Sequence, residues 1–281
     1  MFPSACASEI GTVDHDFSQE KIVNTGFLYG TNEIIIYVIF FVLMLGAADA
    51  GFRFGRRSEA RTPDKTKLQL SVVEDGILGI LALLLGFTMF MAVSRFDARK
   101  QLVLDEANAI GTSLRRTTLL PAPDGPEIAS LLRQYIDVRV QYGTSGNDLA
   151  RLDSLRLQTV RVQNEFWARA TAYGQKNPDP VRVGLLLQSL SQLMDLESAR
   201  KMAFENPVPE SVIYVNCIVG LLAIILVGYT FGLHGRRQIF STFVLTLAIT
   251  LVLALIIDLD RPRSGFIRVS QQPMIDLQQA P

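Results

Sequence analysis

Histidine and cysteine, which often bind metals or act in catalysis, are rare in this sequence. The chain has only two histidines and two cysteines, and these lie far apart: His15, His234, Cys6 and Cys217. Such residues, without clustered acids or a CxxC spacing, predict no zinc site, no redox motif and no disulfide framework. The adjacent carboxylates of Asp105 and Glu106 could in principle form an acid/base pair. Successive residues of a helix point about 100° apart, however, so a solvated or salt-bridged face is the favoured interpretation.

Motifs for nucleotide binding and hydrolysis are also missing. The sequence contains no GxSxG, P-loop or GxGxxG pattern. Trp167 follows Phe166, and this pair is interpreted as core rather than as a stacking platform. The formal net charge is zero, which gives no sign of the basic domain that nucleic-acid binding needs. We therefore predict a protein that is not an enzyme, with no catalytic residue, no metal, no other cofactor and no nucleic-acid partner.

Four apolar segments separate the charged parts of the chain. Each is close to the twenty residues that cross a hydrocarbon layer of about 30 Å as a helix. They are apolar on all sides, whereas helices at the surface of a soluble core are apolar along one stripe. The segments are Thr31–Ala50, Gly76–Ser94, Val212–Leu233 and Ile239–Ile257. The sequence thus predicts an all-α protein with four transmembrane helices. Its predicted surroundings, and one of its partners, are the lipids of the bilayer.

An extramembrane helical bundle is predicted between the second and third passes. Its apolar residues recur at threes, fours and sevens, as on one face of a helix. No glycine or proline interrupts the chain from Phe87 to Ile110, so the second pass should continue into the domain as one long helix that ends before Pro121. The predicted divisions are an acidic N-terminal arm (1–30), passes one and two with a basic loop (31–94), the helical domain (95–210), passes three and four (211–257) and a juxtamembrane tail (258–281).

Basic residues in short loops predict the orientation in the membrane. The loop after the first pass carries Arg53, Arg56, Arg57, Arg61, Lys65 and Lys67, and the hairpin after the third carries Arg236 and Arg237. Four passes put both loops on one side, which this rule makes cytoplasmic. The helical domain and the N-terminal arm, with Glu9, Asp14, Asp16 and Glu20, would then lie outside. Basic residues at 95–100 flank the second pass on the other side, so the asymmetry is modest.

Small residues recur along one face of the second pass. Gly76, Gly79, Ala82 and Gly86 follow one another at threes and fours, and this pattern usually indicates close helix packing in lipid. Next to them Gly79, Leu83 and Phe87 lie at successive fours, with Phe90 or Met91 in line. Several copies of this helix around an axis would form a narrow apolar constriction, and such rings gate by dewetting. Physics alone favours packing over a pore.

The fourth pass ends in a dense run of charges. The run DLDRPR contains Asp258, Asp260, Arg261 and Arg263. Charges are expensive inside a bilayer, so these residues must lie at its surface or inside protein. Contact with lipid headgroups would explain the position of the two arginines but not that of the two acids before them. We predict that Asp258 and Asp260 pair with Arg95 or Arg99, where the second pass leaves the membrane.

Two stretches of the chain resemble a known family. LLLGFTMFMAVSRFDARKQLVLDEANAIGTSLRR, residues 83–116, is similar to the hallmark of the bacterial bestrophin-like domain proteins. DLDRPRSGFIRVSQQPM, residues 258–274, is similar to the C-terminal signature of that family. The resemblance extends from the first pass to Met274. The family consists of multi-pass membrane proteins of unknown function, distantly similar to bestrophins, which are pentameric channels that conduct mainly anions.

The resemblance implies an oligomeric, pentameric ion channel in the bacterial inner membrane that favours anions such as chloride. Bestrophins have an apolar neck around a Leu/Val-Gly-Phe stretch of the second helix, and Leu85-Gly86-Phe87 is similar to it. The neck-facing positions implied here are Gly79, Leu83, Phe87, Phe90 and Met91. The alternative is a non-conducting sensor or assembly scaffold anchored in the membrane.

This sequence departs from bestrophins at three points. Bestrophins have an Arg-Trp-Trp after the neck, where this chain has SRFDARK without tryptophan. Their acidic calcium clasp follows the last pass, where this chain has two acids beside two arginines, so no calcium site is predicted. Finally, bestrophins keep the helical domain in the cytoplasm, whereas the loop charges favour the outside.

Overall fold

The computed structural model describes residues 33–177, 179–261 and 265–280. The described residues form eight α-helices and no strand, which confirms the all-α class. The helices are α1 (Glu33–Ser58), α2 (Asp64–Thr117), α3 (Asp124–Thr144), α4 (Leu149–Lys176), α5 (Pro180–Glu205), α6 (Glu210–Leu233), α7 (Ile239–Asp260) and α8 (Gln272–Gln279). Four of them, α1, α2, α6 and α7, are long and apolar enough to cross a membrane. The predicted acidic arm lies outside the described residues.

Helix α2 joins the membrane half of the molecule to the extramembrane half. Its 54 residues give a length of roughly 80 Å at the usual rise per residue. The apolar first part crosses the membrane, and the amphipathic second part enters the helical domain and ends before Pro121, as the sequence predicts. The basic loop proved shorter than expected, because α1 continues to Ser58 and α2 already begins at Asp64. Only a 3₁₀ turn and Pro63, which favours a helix start, separate them.

The helical domain is a bundle of the second part of α2 with α3, α4 and α5. Its core contains Ile110, Ile128 and Phe166, all fully buried, with Trp167 packed at the edge. The helix α8 also belongs to this core, through Met274 and Leu277, although no helix is predicted there from the sequence. The domain is therefore closed by a segment that follows the last membrane pass.

The first and third membrane passes approach each other closely through glycines. These are Gly51 and Gly55 on α1 and Gly228 and Gly232 on α6. A Cβ atom at any of the four would overlap main-chain atoms of the partner helix. Both pairs have the GxxxG spacing that lets helix backbones pack in lipid. Gly76, Gly79 and Gly86 of the second pass, for which the sequence predicts close packing, do not pack within the protomer, because a Cβ there would meet no atom within 4 Å.

The two basic segments meet at the end of the membrane helices that is remote from the helical domain. Arg56 Nη1 donates a hydrogen bond to the Gly235 carbonyl oxygen over 2.9 Å. Arg237 forms an ion pair with Asp49 of α1. Both hairpins therefore lie on one side, as a four-pass topology requires.

Candidate ion pathway and its charged supports

One face of α2 is left open by every other described part of the chain. Its residues follow one another at threes and fours from Gly76 to Thr112, and we call them the open stripe: Gly76, Gly79, Leu83, Phe87, Phe90, Ser94, Asp97, Gln101, Asp105, Asn108 and Thr112. None of them is buried. The large apolar side chains of Leu83, Phe87 and Phe90 are 57%, 63% and 75% exposed. Such exposure of aligned apolar residues marks a face that meets lipid, another copy of the chain or a pore.

The stripe changes character where α2 leaves the membrane. Up to Phe90 it contains only glycine and apolar residues, and from Ser94 onward it contains only polar ones. The predicted neck positions Gly79, Leu83, Phe87 and Phe90 thus lie together on the stripe, with Met91 at its edge. The only charged side chains on the polar part belong to Asp97 and Asp105.

A buried ion pair fixes α2 just beyond the membrane. Arg99 Nη2 lies 3.4 Å from Asp260 Oδ1, and both side chains are almost completely buried. Arg99 also donates to the carbonyl oxygens of Ala203 and Asp260. The Asp260 carboxylate accepts further hydrogen bonds from the Val208 backbone N–H at 2.9 and 3.0 Å. The end of α7 is thereby tied to α2 and to the link between α5 and α6.

The other predicted pairs have different partners in the structure. Asp258 accepts hydrogen bonds from the backbone N–H groups of Phe266 and Ile267, at 2.7 and 3.0 Å, and so closes the turn after α7. Arg95 donates to the carbonyl oxygens of Asn206 and Pro207, in the link that follows α5. Arg261 is not at the headgroups but 3% exposed inside the protein. Arg263 lies outside the described residues.

A second buried cluster surrounds Glu106. Its Oε1 accepts from Arg139 Nε at 2.6 Å and from Tyr135 Oη at 3.0 Å. Its Oε2 accepts from Arg200 Nη1 at 2.6 Å and from Arg139 Nη2 at 3.1 Å. Glu197 supplies a second carboxylate, 3.3 Å from Arg139 Nη1, so that two charges of each sign balance. Four hydrogen bonds satisfy the Glu106 carboxylate in a place without water contact.

The charges of this cluster stabilise one another. Burial alone raises the pKa of Glu106, but the positive charges and hydrogen bonds of Arg139 and Arg200 outweigh burial and hold that pKa below its usual value. Burial and the adjacent carboxylate raise the pKa of Tyr135 well above its usual value, so its hydroxyl stays a donor. The salt-bridged interpretation is thus correct for Glu106, whereas Asp105 is partly exposed and accepts a hydrogen bond from Gln101.

Comparison with known proteins decides the family. A family model described as the bestrophin-like domain matches residues 37–274, most of the chain. The chain belongs to the bestrophin-like family. Comparison with curated protein sequences returns no match.

Crystal structures of a bacterial bestrophin homologue from Klebsiella pneumoniae have the fold of this bestrophin-like chain. One of them aligns with a TM-score of 0.63 and 15% sequence identity, over 89% of this chain and 99% of its own. Another aligns with a TM-score of 0.62 and 18% identity, over 88% of this chain and 100% of its own. At identities this low the comparison establishes the shared fold.

The stretches that carry the bestrophin-like resemblance meet in space. Glu106 belongs to DEANAIGT and Gln271 to RVSQQP, and both bind Arg200, with Arg200 Nη2 lying 2.6 Å from Gln271 Oε1. Asp260 belongs to DLDRP and binds Arg99 of SRFDARK. The two stretches, far apart in sequence, thus fasten the tail and α2 together at two points.

The described residues contain no group of His, Cys, Asp and Glu side chains placed to hold a metal ion. His234 Nδ1 lies 2.8 Å from the Thr230 carbonyl oxygen of its own helix. Asp258 and Asp260 direct their oxygens at backbone N–H groups and at Arg99. Their arrangement therefore serves the bestrophin-like fold by fixing the tail. His15 and Cys6 lie outside the described residues.

Proposed function

We propose that this bestrophin-like protein is an ion channel in the inner cell membrane, formed by several copies of the chain, five as in bestrophins. The observation that carries the proposal is the open stripe of α2. It is apolar where the helix crosses the membrane and polar beyond, and none of its residues is buried. Copies arranged with these stripes facing a common axis would enclose a path that runs from a narrow apolar neck into a wider polar vestibule.

Glycines on the stripe support this arrangement over contact with lipid alone. Gly76 and Gly79 offer little apolar surface to lipid, and their open surroundings show that no helix of the same protomer uses them. Small residues at such positions let neighbouring copies approach closely, or leave room for an ion beside the larger Leu83 and Phe87. Leu83 and Phe87 would then form the narrowest rings, which conduct when wet and close when they dewet.

Removal of one aromatic ring tests the neck. We expect Phe87→Ala to change flux through proteoliposomes several-fold, because it widens an apolar constriction and eases its wetting. The matched control is Phe240→Ala on α7, where the ring is also highly exposed but lies off the stripe. The oligomeric state of the detergent-purified protein is measured first by mass photometry, and chloride and sodium flux are then measured on the same samples.

Either outcome of this experiment is informative. A closed ring with flux that responds to Phe87→Ala and not to Phe240→Ala supports the channel. A monomer or dimer without flux removes the ring that a pore needs and favours the alternative, a membrane-anchored sensor or scaffold. Equal flux changes in both variants would also contradict the neck.

Two observations favour permeant ions of opposite charge. The resemblance to bestrophins implies anions. The charges on the stripe favour cations, because Asp97 and Asp105 are its only ionised groups beyond the neck and would recur in every copy. Rings of like charge raise the local concentration of ions of opposite sign.

Neutralising these carboxylates distinguishes the two answers. If cations are favoured, Asp97→Asn with Asp105→Asn should shift the reversal potential of a salt gradient toward that of anions, with a several-fold fall in the cation/anion permeability ratio. The control is Asp153→Asn, an exposed residue of α4. If the wild type is anion-selective and its reversal potential does not change when both aspartates are neutralised, the result supports the anion preference of bestrophins instead.

A further inference from the structure

A cleft opens between α1, α6 and α7 at the end of the membrane helices that is remote from the helical domain. It has a volume of about 240 Å³. Its wall is largely apolar, with Leu45, Ala48, Phe231, Ile239 and Phe243 among the lining residues. The glycine contacts hold α1 and α6 close together, whereas α7 packs mainly on α1 and α2 and touches α6 at few positions. This uneven packing leaves the gap.

Positive charges stand at the mouth of this cleft. Arg237 lines it and is fixed in two ways, by its ion pair with Asp49 and by its guanidinium group lying 5.3 Å from the centre of the Phe52 ring. Arg53 binds the same Asp49 carboxylate over 2.7 Å. Both arginine side chains are more than half exposed, so their remaining N–H groups face solvent or headgroups. With Arg236 exposed next to them, the charges at the mouth sum to an excess of positive charge.

We propose that this cleft binds one acyl chain of an anionic phospholipid, whose headgroup phosphate is held by Arg237 and Arg53. The apolar wall matches an acyl chain, and the cleft lies where hydrocarbon gives way to headgroups, because α7 begins there. Guanidinium groups bind phosphate oxygens with paired hydrogen bonds. A zwitterionic headgroup also offers a phosphate, but the cation of that headgroup lies nearby and offsets its negative charge. The site is separate from the open stripe and does not depend on the channel proposal.

Thermal stability of the purified full chain tests this proposal. Melting temperatures are measured in detergent micelles that contain phosphatidylglycerol or phosphatidylcholine with the same acyl chains. We expect phosphatidylglycerol to raise the melting temperature clearly more than phosphatidylcholine does. Equal rises with the two lipids would overturn the proposal.

Two substitutions that break the same ion pair separate lipid binding from structural damage. Arg237→Gln should remove more than half of the rise specific to phosphatidylglycerol, because it deletes a phosphate ligand. Asp49→Asn should keep or enlarge that rise, because it frees both arginines for the phosphate. A loss of the same size in both variants would show that only the ion pair matters and would overturn the proposal.

Two further variants test whether general charge at the membrane surface, rather than this cleft, attracts the lipid. Arg57→Gln removes an exposed positive charge at the same end of the molecule but outside the cleft, and it should keep the lipid-specific rise. Thr242→Trp fills the cleft and leaves both arginines in place, so it should lose the rise. The opposite result in either variant would mean that general charge at the membrane surface, rather than this cleft, attracts the lipid.

Discussion

Gly228→Leu is expected to destabilise the fold severely. The Cβ atom of any larger residue there would overlap the Ala48 carbonyl group of α1, and main-chain atoms cannot move aside as a flexible side chain can. The two helices would have to separate and would lose the close contacts that run from Gly51 to Gly55 on α1. Overpacking of this kind typically costs about 1–3 kcal/mol and more where backbone is in the way. We expect a loss at the upper end of that range or beyond.

The matched control for this substitution is Gly79→Leu. Gly79 is also a glycine of a membrane helix, but its surroundings within the protomer are open, so the protomer should tolerate the larger side chain. Yield from the membrane and melting temperature in detergent are measured for both variants. Gly79→Leu should keep the fold and, if the stripe lines a pore, reduce flux. If both variants fold alike, the close approach of α1 and α6 is not what stabilises the membrane half.

Glu106→Ala is expected to have the next largest effect. It would leave the guanidinium groups of Arg139 and Arg200 buried without the carboxylate that each of them binds at 2.6 Å. Removal of one partner from a buried ion pair costs about 3–5 kcal/mol, because the remaining charge cannot return to water. The free energy of unfolding is measured by chemical denaturation in detergent. The helical domain should be the part that unfolds first.

The neighbouring residue supplies the control, and pH supplies a second test. Asp105→Asn alters a partly exposed carboxylate and should change stability by less than about 0.5 kcal/mol. The pKa of Glu106 is lower in the folded state, so its contribution is complete above the unfolded pKa and is lost as pH falls through the folded pKa. Wild type should therefore lose stability on acidification, and Glu106→Gln should lose less over the same interval. An identical acid response would contradict the proposed role of the cluster.

Much of the fold could be predicted from composition and periodicity. The four passes are apolar stretches of sufficient length, and the long helix α2 follows from the absence of a proline between Pro63 and Pro121. The helix α8 could not be predicted in this way. It is eight residues long, and it is held by Met274 and Leu277 against a core that forms only in the tertiary structure.

The charged clusters show where sequence reasoning reaches its limit. The residues that bind Glu106 are 29, 33 and 94 positions away, and no local spacing links them. For Asp260 the sequence predicts Arg95 or Arg99 as partner, because both arginines lie where the second pass leaves the membrane, and the structure shows Arg99. The GxxxG pairs GFRFG and GYTFG were visible in the sequence. Spacing alone does not tell which glycine face meets a helix and which stays open.

The position of the tail in the helical domain has a consequence for biosynthesis. The four helices of the bundle leave the ribosome before α6 and α7 do, but Val269 and Met274 of its core come after them. The domain therefore cannot complete its core until the last pass has entered the bilayer and its end has emerged on the same side as the domain. Until then the contacts of Arg200 with Gln271 and of Arg99 with Asp260 cannot form. Insertion of α7 is thus the step that allows the extramembrane half to close.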